Sequence, residues 1–79
     1  METVEQYAQK RRLKIGQRIK HCRKAAGLSQ YGLARALSVE QSQVWKWEHG
    51  WHEPFPDTLD RIAEICRVTT SDLTCGDDA

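Results

Sequence analysis

The stretch from Leu28 to Gly50 constrains the fold most, because its pattern is that of two short helices joined by a tight turn. Ser29 can cap the first helix with its hydroxyl. The apolar residues that follow are spaced three and four positions apart and therefore share one face: Leu33, Ala34 and Leu37. Ser38 starts the turn. A second helix is expected from about residue 40 to residue 49, and Gly50 can end it because glycine accepts positive φ without strain.

The second helix is predicted to have two chemically different faces. Three of its residues point inward: Val44, Trp47 and Glu48. Five others point outward: Gln41, Ser42, Trp45, Lys46 and His49. A face that carries amide, hydroxyl, ammonium and indole groups can hydrogen-bond base edges and phosphates in a major groove. The pattern therefore indicates nucleic-acid binding.

This segment resembles the helix-turn-helix of the phage repressor (Cro/C1-type, XRE-like) family. The matching residues are Leu28-Ser29-Gln30, Leu33-Ala34, Val39, Val44, Lys46-Trp47-Glu48 and Gly50. Flanking matches are Ile15 to Ile19, Arg23, Gly27, Pro54, Leu59, Ala63 and Val68. The resemblance covers roughly residues 13 to 73. It implies an all-α, compact five-helix, lambda-repressor-like DNA-binding domain.

The resemblance also implies roles for individual side chains. The expected base-contacting residues are Gln41, Ser42, Gln43 and Lys46, since glutamine suits adenine and lysine suits guanine. The expected DNA-backbone residues are Ser29, Gln30, Tyr31, Arg35, Trp45, His49 and Trp51. Arg35 can equally be a solvated charge. Trp45 packs either on a sugar or a thymine methyl group, or it marks a contact with another protein.

Under the helix-turn-helix, the family pairs an arginine at the place of Arg23 with a glutamate at the place of Glu48. We therefore expect a partly buried, structural ion pair between these two residues rather than DNA contacts. Three positions depart from the family pattern. Ser38 stands where the turn often has glycine, Glu40 stands where serine or threonine usually caps the helix, and Gly32 lies inside the first helix of the motif.

The net charge of +1 conceals an asymmetry along the chain. Residues 1–50 carry ten Lys and Arg against four acids, whereas residues 51–79 carry two against seven. A basic half and an acidic half suit a module that turns one face toward a polyanion. The alternative is two solvated faces of a helical bundle.

The remaining helices follow from apolar spacing and capping signals. Helix 1 is predicted from about Arg12 to Ala26, with Ile15, Ile19, Cys22 and Ala26 as its apolar stripe. A fourth helix starts at Pro56. A fifth lies around Ser71 to Leu73, capped by Thr69 or Thr70. Residues 1–11 are expected to be a flexible or helical N-terminal arm, residues 12–74 the domain, and residues 75–79 an acidic mobile tail.

Other features limit the function classes. Three cysteines at unrelated spacings argue against disulfides and for a cytoplasmic, reducing setting. No apolar run reaches about 18 residues, so no membrane contact is expected, and no secretory signal is recognised. His49 and His52 have no Cys-x-x-Cys partner, so no metal is expected. We find no nucleophile–base pair, carboxylate dyad or glycine-rich phosphate loop, and we expect neither an enzyme nor a cofactor nor a small-molecule ligand.

The sequence therefore predicts a sequence-specific transcriptional regulator, acting as repressor or autoregulator. Its expected partner is a double-stranded DNA operator, bound as a homodimer on palindromic half-sites. The alternative is a helical protein-interaction module that keeps the fold without specific DNA binding. In that module the outward Trp45, the off-stripe Ile65 and the acidic half of the chain would form the interface.

Overall fold

The computed structural model describes residues 1–75, and these residues form five helices and no strand. The helices are α1 (Val4–Ala25), α2 (Gln30–Leu37), α3 (Gln41–Glu48), α4 (Pro56–Cys66) and α5 (Thr70–Thr74). The predicted all-α, five-helix fold is confirmed. The predicted acidic tail lies, apart from the exposed Cys75, outside the described residues.

Helix α1 begins at Val4, much earlier than the predicted start near Arg12. The cause is a capping box at its N-terminus. The Gln6 backbone N–H donates to the Thr3 hydroxyl at 3.1 Å, and the Thr3 backbone N–H donates to the Gln6 side chain at 2.9 Å. Residues 4–11, for which a flexible and a helical state were both open, are therefore helical and continuous with α1.

The turn between α2 and α3 keeps a left-handed backbone without a glycine. Ser38 has φ 59° and ψ 42°, and the Val39 N–H after it donates to the Ala34 carbonyl at 2.9 Å. A left-handed residue with a Cβ costs about 1–2 kcal/mol, so the chain tolerates strain here. Glu40 takes the N-cap position of α3, but its side chain makes no capping hydrogen bond.

All five helices contribute to one core. Its buried apolar residues are Ile15, Ile19, Leu33, Ala34, Leu37, Val44, Trp47, Leu59, Ile62, Ala63 and Leu73. Two residues of the apolar stripe predicted for helix 1 are not buried in this core. Ala26 is exposed because it is the C-cap, beyond the last helical turn, and Cys22 is only half-buried. Arg23 takes the buried place beside the stripe.

Helix α1 crosses α3 at very short distance, and Gly16 makes this possible. A Cβ at position 16 would lie 2.3 Å from the Trp47 carbonyl oxygen and 3.0 Å from the Glu48 carbonyl. No side chain larger than hydrogen fits there unless the helices separate. The position of α3 relative to α1 is thus set by backbone contact. None of the helices within residues 1–75 has the length and apolar character needed to cross a bilayer.

Candidate nucleic-acid interface

The outward side of α3 is polar and accessible, while its inward side is part of the core. Gln41, Ser42, Trp45 and His49 are exposed, and Gln43 and Lys46 are half-buried. Val44, Trp47 and Glu48 are buried on the opposite side. The structure therefore presents the predicted base-contacting residues together on one short helix, with Gln43 and Lys46 partly covered by their neighbours.

Beneath α3, Arg23 and Glu48 form a buried ion pair with two parallel hydrogen bonds. Arg23 Nε donates to Glu48 Oε2 at 2.7 Å, and Arg23 Nη2 donates to Oε1 at 3.0 Å. Arg23 Nη1 also donates to the Leu28 carbonyl at 2.9 Å. The hydrogen bond to Glu48 raises the pKa of Arg23, against the opposing effect of desolvation. The guanidinium stays charged, and it ties α1, the α1–α2 loop and α3 together.

Gln30 extends this pair toward the surface. Its Nε2 donates to Glu48 Oε1 at 3.1 Å, and its Oε1 accepts a longer contact of 3.5 Å from Gln41 Nε2. A polar chain thus runs from Arg23 through Glu48 and Gln30 to Gln41. This chain fixes the start of α2 relative to the start of α3. Gln30 thereby braces α3, because it contacts both the buried carboxylate of Glu48 and the exposed amide of Gln41.

The N-terminus of α2 adjoins the same face. The Ser29 hydroxyl accepts the Gly32 N–H at 2.9 Å and so caps the helix. Exposed Tyr31 accepts a hydrogen bond from Arg35 Nη1 at 3.1 Å, and the guanidinium carbon lies 5.8 Å from the tyrosine ring centre. Helix N-termini favour anions because their first N–H groups point outward. Ser29, Gln30, Tyr31 and Arg35 therefore form a surface suited to a phosphate.

Three rings gather at the C-terminal end of α3, and we call Trp45, His49 and Trp51 the aromatic cluster. The His49 ring stacks on Trp45 with centroids 3.8 Å apart and planes 19° apart. Trp51 meets Trp45 edge-on at 5.4 Å. His49 Nδ1 lies 2.8 Å from the Trp45 carbonyl oxygen. Trp45 remains 39% exposed and Trp51 60% exposed.

Basic residues near the start of α1 bind other parts of the chain. Lys10 pairs with Glu2. Arg11 Nε pairs with Glu53 at 3.1 Å, and Arg12 Nε donates to the Gly50 carbonyl at 3.1 Å. The last two contacts attach α1 to the loop that follows α3. Sequence reasoning missed both contacts. Glu53 resembles any other acidic loop residue, and every residue has a backbone carbonyl, so the sequence does not indicate which carbonyl accepts a hydrogen bond.

Among residues 1–75, no three His, Cys, Asp or Glu side chains are grouped so that they could hold a metal ion. Cys22 and Cys66 are half-buried, and burial raises the pKa of both thiols. A raised pKa keeps these thiols protonated at neutral pH, and the thiolate is the form that binds metals or attacks electrophiles. Both cysteines pack against the core.

Comparison with known proteins decides the family. The family described as Helix-turn-helix domain matches residues 14–74. The chain belongs to this helix-turn-helix family. The resemblance to phage repressor-type regulators is confirmed. The first ten residues of α1, 4–13, lie before the matched range.

Individual relatives of this helix-turn-helix chain are regulators. It is 36% identical over 62 residues to the SPbeta prophage-derived uncharacterized HTH-type transcriptional regulator YonR of Bacillus subtilis (strain 168), covering 78% of this chain and 57% of that protein. It is 32% identical over 66 residues to the HTH-type transcriptional regulator DicA of Escherichia coli (strain K12), covering 84% and 49%. The chain thus spans about half the length of the curated relatives it matches.

A solved structure agrees with the fold. The crystal structure of the restriction-modification controller protein C.AhdI from Aeromonas hydrophila is similar with a TM-score of 0.72 and 29% identity. The similarity covers 78% of this chain and 94% of that one. The likeness therefore extends over nearly the whole chain of that controller protein.

Proposed function

We propose that this chain is a sequence-specific, double-stranded DNA-binding transcriptional regulator whose helix α3 lies in the major groove. The observation that carries the proposal is the accessible polar face of α3, held rigidly on a backbone contact and a buried ion pair. A rigid helix with exposed amides and a lysine is what direct readout of base edges requires. Two relatives named as transcriptional regulators support the same function.

Within this proposal, Gln41 and Ser42 enter the groove first because they begin α3. Gln41 suits adenine, whose N7 and N6 groups match a glutamine amide. Lys46 suits the O6 and N7 acceptors of guanine. Gln43 is half-buried and reaches bases only at the edge of the helix. The 3.5 Å contact between Gln41 Nε2 and Gln30 Oε1 supports the role of Gln41, because it connects the Gln41 amide to the polar chain beneath α3.

Phosphate contacts would flank α3 on both sides. Ser29, Gln30, Tyr31 and Arg35 form one side, at the start of α2. His49 and Trp51 form the other, where the chain leaves α3. Such contacts fix register and orientation on the duplex without reading sequence. Arg35 already donates to Tyr31, and the two exposed side chains can reach one phosphate together.

We further propose a homodimer on a two-fold symmetric operator, in a cytoplasmic setting, without a cofactor. One domain this small presents one recognition helix, and two half-sites about one helical turn apart need two copies. Partly buried Ile65 borders an open groove with Leu28 and Cys66, and none of the described residues that line this groove belongs to α3. This groove is the surface that we assign to the second copy.

Selection of bound duplexes from a random DNA pool, followed by the mass of the selected complex, tests both proposals. The expected result is a two-fold symmetric consensus bound by two chains, with affinity that falls steeply as salt rises. A helical protein-interaction module is the competing function, and the exposed rings of Trp45, Trp51 and Phe55 favour it. Absence of any enriched sequence, with weak or salt-independent binding, would support that module instead.

A further inference from the structure

Trp45 lies among the proposed base readers of α3. The direction of each side chain can be given as an angle around the axis of an ideal helix with 3.6 residues per turn, measured from Gln41. On this scale Trp45 lies at about 40°, Ser42 at about 100° and Lys46 at about 140°. Trp45 therefore falls inside the arc that Gln41, Ser42 and Lys46 span. If these three side chains face the bases, as the proposed function states, Trp45 faces them too. This inference rests on the proposed function and assigns Trp45 to the bases instead of the DNA backbone.

The Trp45 ring is held in place before any ligand binds. His49 stacks on one face of it at 3.8 Å, and Trp51 lies edge-on at 5.4 Å. His49 is itself positioned by the 2.8 Å contact between its Nδ1 and the Trp45 carbonyl oxygen. Ordering a free side chain at an interface costs conformational entropy, which weakens binding. The contacts with His49 and Trp51 lower that cost for Trp45, which nevertheless remains 39% exposed.

The chemistry of the ring limits what it can recognise. An indole offers a broad apolar surface and one N–H donor, and it has no acceptor. The apolar group that a base presents in the major groove is the C5-methyl group of thymine. A methylated cytosine carries a methyl group at the same ring position. We infer that Trp45 reads the C5-methyl group of one pyrimidine in each half-site, by burying that methyl against its ring.

The test removes or adds this methyl group alone. In the duplex obtained by selection, each thymine is replaced in turn by uracil, and each cytosine by 5-methylcytosine. At one thymine of each half-site, uracil should weaken binding of the unmodified protein roughly fourfold, the effect of exposing one buried carbon. If the source of the methyl group is instead a methylated cytosine, 5-methylcytosine should strengthen binding by a similar factor at one position.

The variant Trp45→Ala should bind the methylated and unmethylated duplexes equally well. Its fold is checked by circular dichroism and thermal unfolding. Arg35→Ala is the matched control, because it alters a proposed phosphate contact. It should weaken binding to all duplexes alike and keep the methyl preference.

Three outcomes would overturn the inference. One is a selected site at which no removal or addition of a C5-methyl group changes the affinity. Another is a Trp45→Ala protein that keeps the full methyl preference. In both cases specific DNA binding survives, so the proposed function stands. If no site can be selected at all, the proposed function fails and the methyl contact fails with it.

Discussion

The carboxylate of Glu48 accepts hydrogen bonds from three donors on two other helices, and two of these come from Arg23. The Arg23 and Glu48 side chains are only 7% and 1% exposed, so the pair is almost fully removed from water. The third donor is Gln30, whose amide also contacts Gln41. A charge pair in the interior thereby sets the position of an amide at the proposed DNA surface.

Removing one partner of this pair should destabilise the domain strongly. Arg23→Ala would leave the Glu48 carboxylate buried without its counter-charge, which costs about 3–5 kcal/mol. Urea unfolding followed by circular dichroism measures the loss. The control is Arg11→Ala, whose pair with Glu53 is much more exposed, with side chains 42% and 34% exposed. That variant should lose no more than about 1 kcal/mol. Equal effects of the two substitutions would contradict the structural role of Arg23.

Two glycines in helices should respond oppositely to alanine. Gly16→Ala places a Cβ 2.3 Å from the Trp47 carbonyl oxygen, so α1 and α3 must separate. Overpacking of this kind should cost about 2 kcal/mol or more. Gly32→Ala meets only the Ser29 hydroxyl at 3.3 Å and Leu28 side-chain atoms from 3.5 Å. It should gain up to about 1 kcal/mol from helix propensity. Thermal unfolding measures the stability of both variants beside the parent protein. A Gly16→Ala protein as stable as the parent would contradict the close crossing of α1 and α3.

The left-handed serine in the α2–α3 turn offers a stabilising substitution. Ser38→Gly should raise the free energy of unfolding by about 1 kcal/mol, because glycine adopts φ 59° without the Cβ clash. Ser38→Ala keeps a Cβ and should gain nothing, so it serves as the control. Chemical denaturation of both variants beside the parent protein gives the comparison. An alanine variant as stable as the glycine variant would mean that the backbone at residue 38 is not strained.

Asp72 gives the domain a defined pH dependence. Hydrogen bonds from the Thr69 backbone N–H, at 2.9 Å, and from its side chain hold the pKa of Asp72 below its ordinary value. In the unfolded chain the carboxyl has a pKa of about 3.9, so the unfolded state binds the proton more readily. The stabilisation is therefore complete above that pH and is lost as pH falls through the lower folded-state pKa.

Asp72→Asn should accordingly destabilise the domain at pH 7, and the difference from the parent protein should shrink as the solution is acidified below the ordinary carboxyl pKa. Thermal unfolding at a series of pH values measures it. A difference that stays constant from pH 7 to pH 2.5 would show that the Asp72 charge contributes nothing.

Much of the fold could be predicted because its determinants are local. The Ser29 cap, the Gly50 stop and the Pro56 start each act within one helical turn, and the structure has α2, α3 and α4 where these signals place them. The early start of α1 was also a local signal, the Thr3 to Gln6 capping box. Apolar periodicity alone leaves residues 1–11 open between a flexible arm and a longer helix, and the capping box decides for the helix.

The candidate site was less accessible to sequence reasoning, because its geometry depends on contacts between distant residues. Arg12 reaches the Gly50 carbonyl across 38 positions, and Gln30 meets Glu48 across 18. Neither contact has a spacing rule that a sequence could reveal. The burial of Gly16 against α3 is similar, since a glycine inside a helix carries no sign of what its missing side chain makes room for.

The central claim is that the exposed face of α3 reads bases, and one binding experiment tests it most directly. The affinities of the parent protein and of Gln41→Ala are measured for the selected duplex and for a scrambled duplex of equal length at matched salt. We expect the parent to prefer the selected duplex by roughly a thousandfold or more. Gln41→Ala should lose about 1–3 kcal/mol on that duplex and almost nothing on the scrambled one. Equal losses on both duplexes, or a parent protein without preference, would contradict base readout by α3.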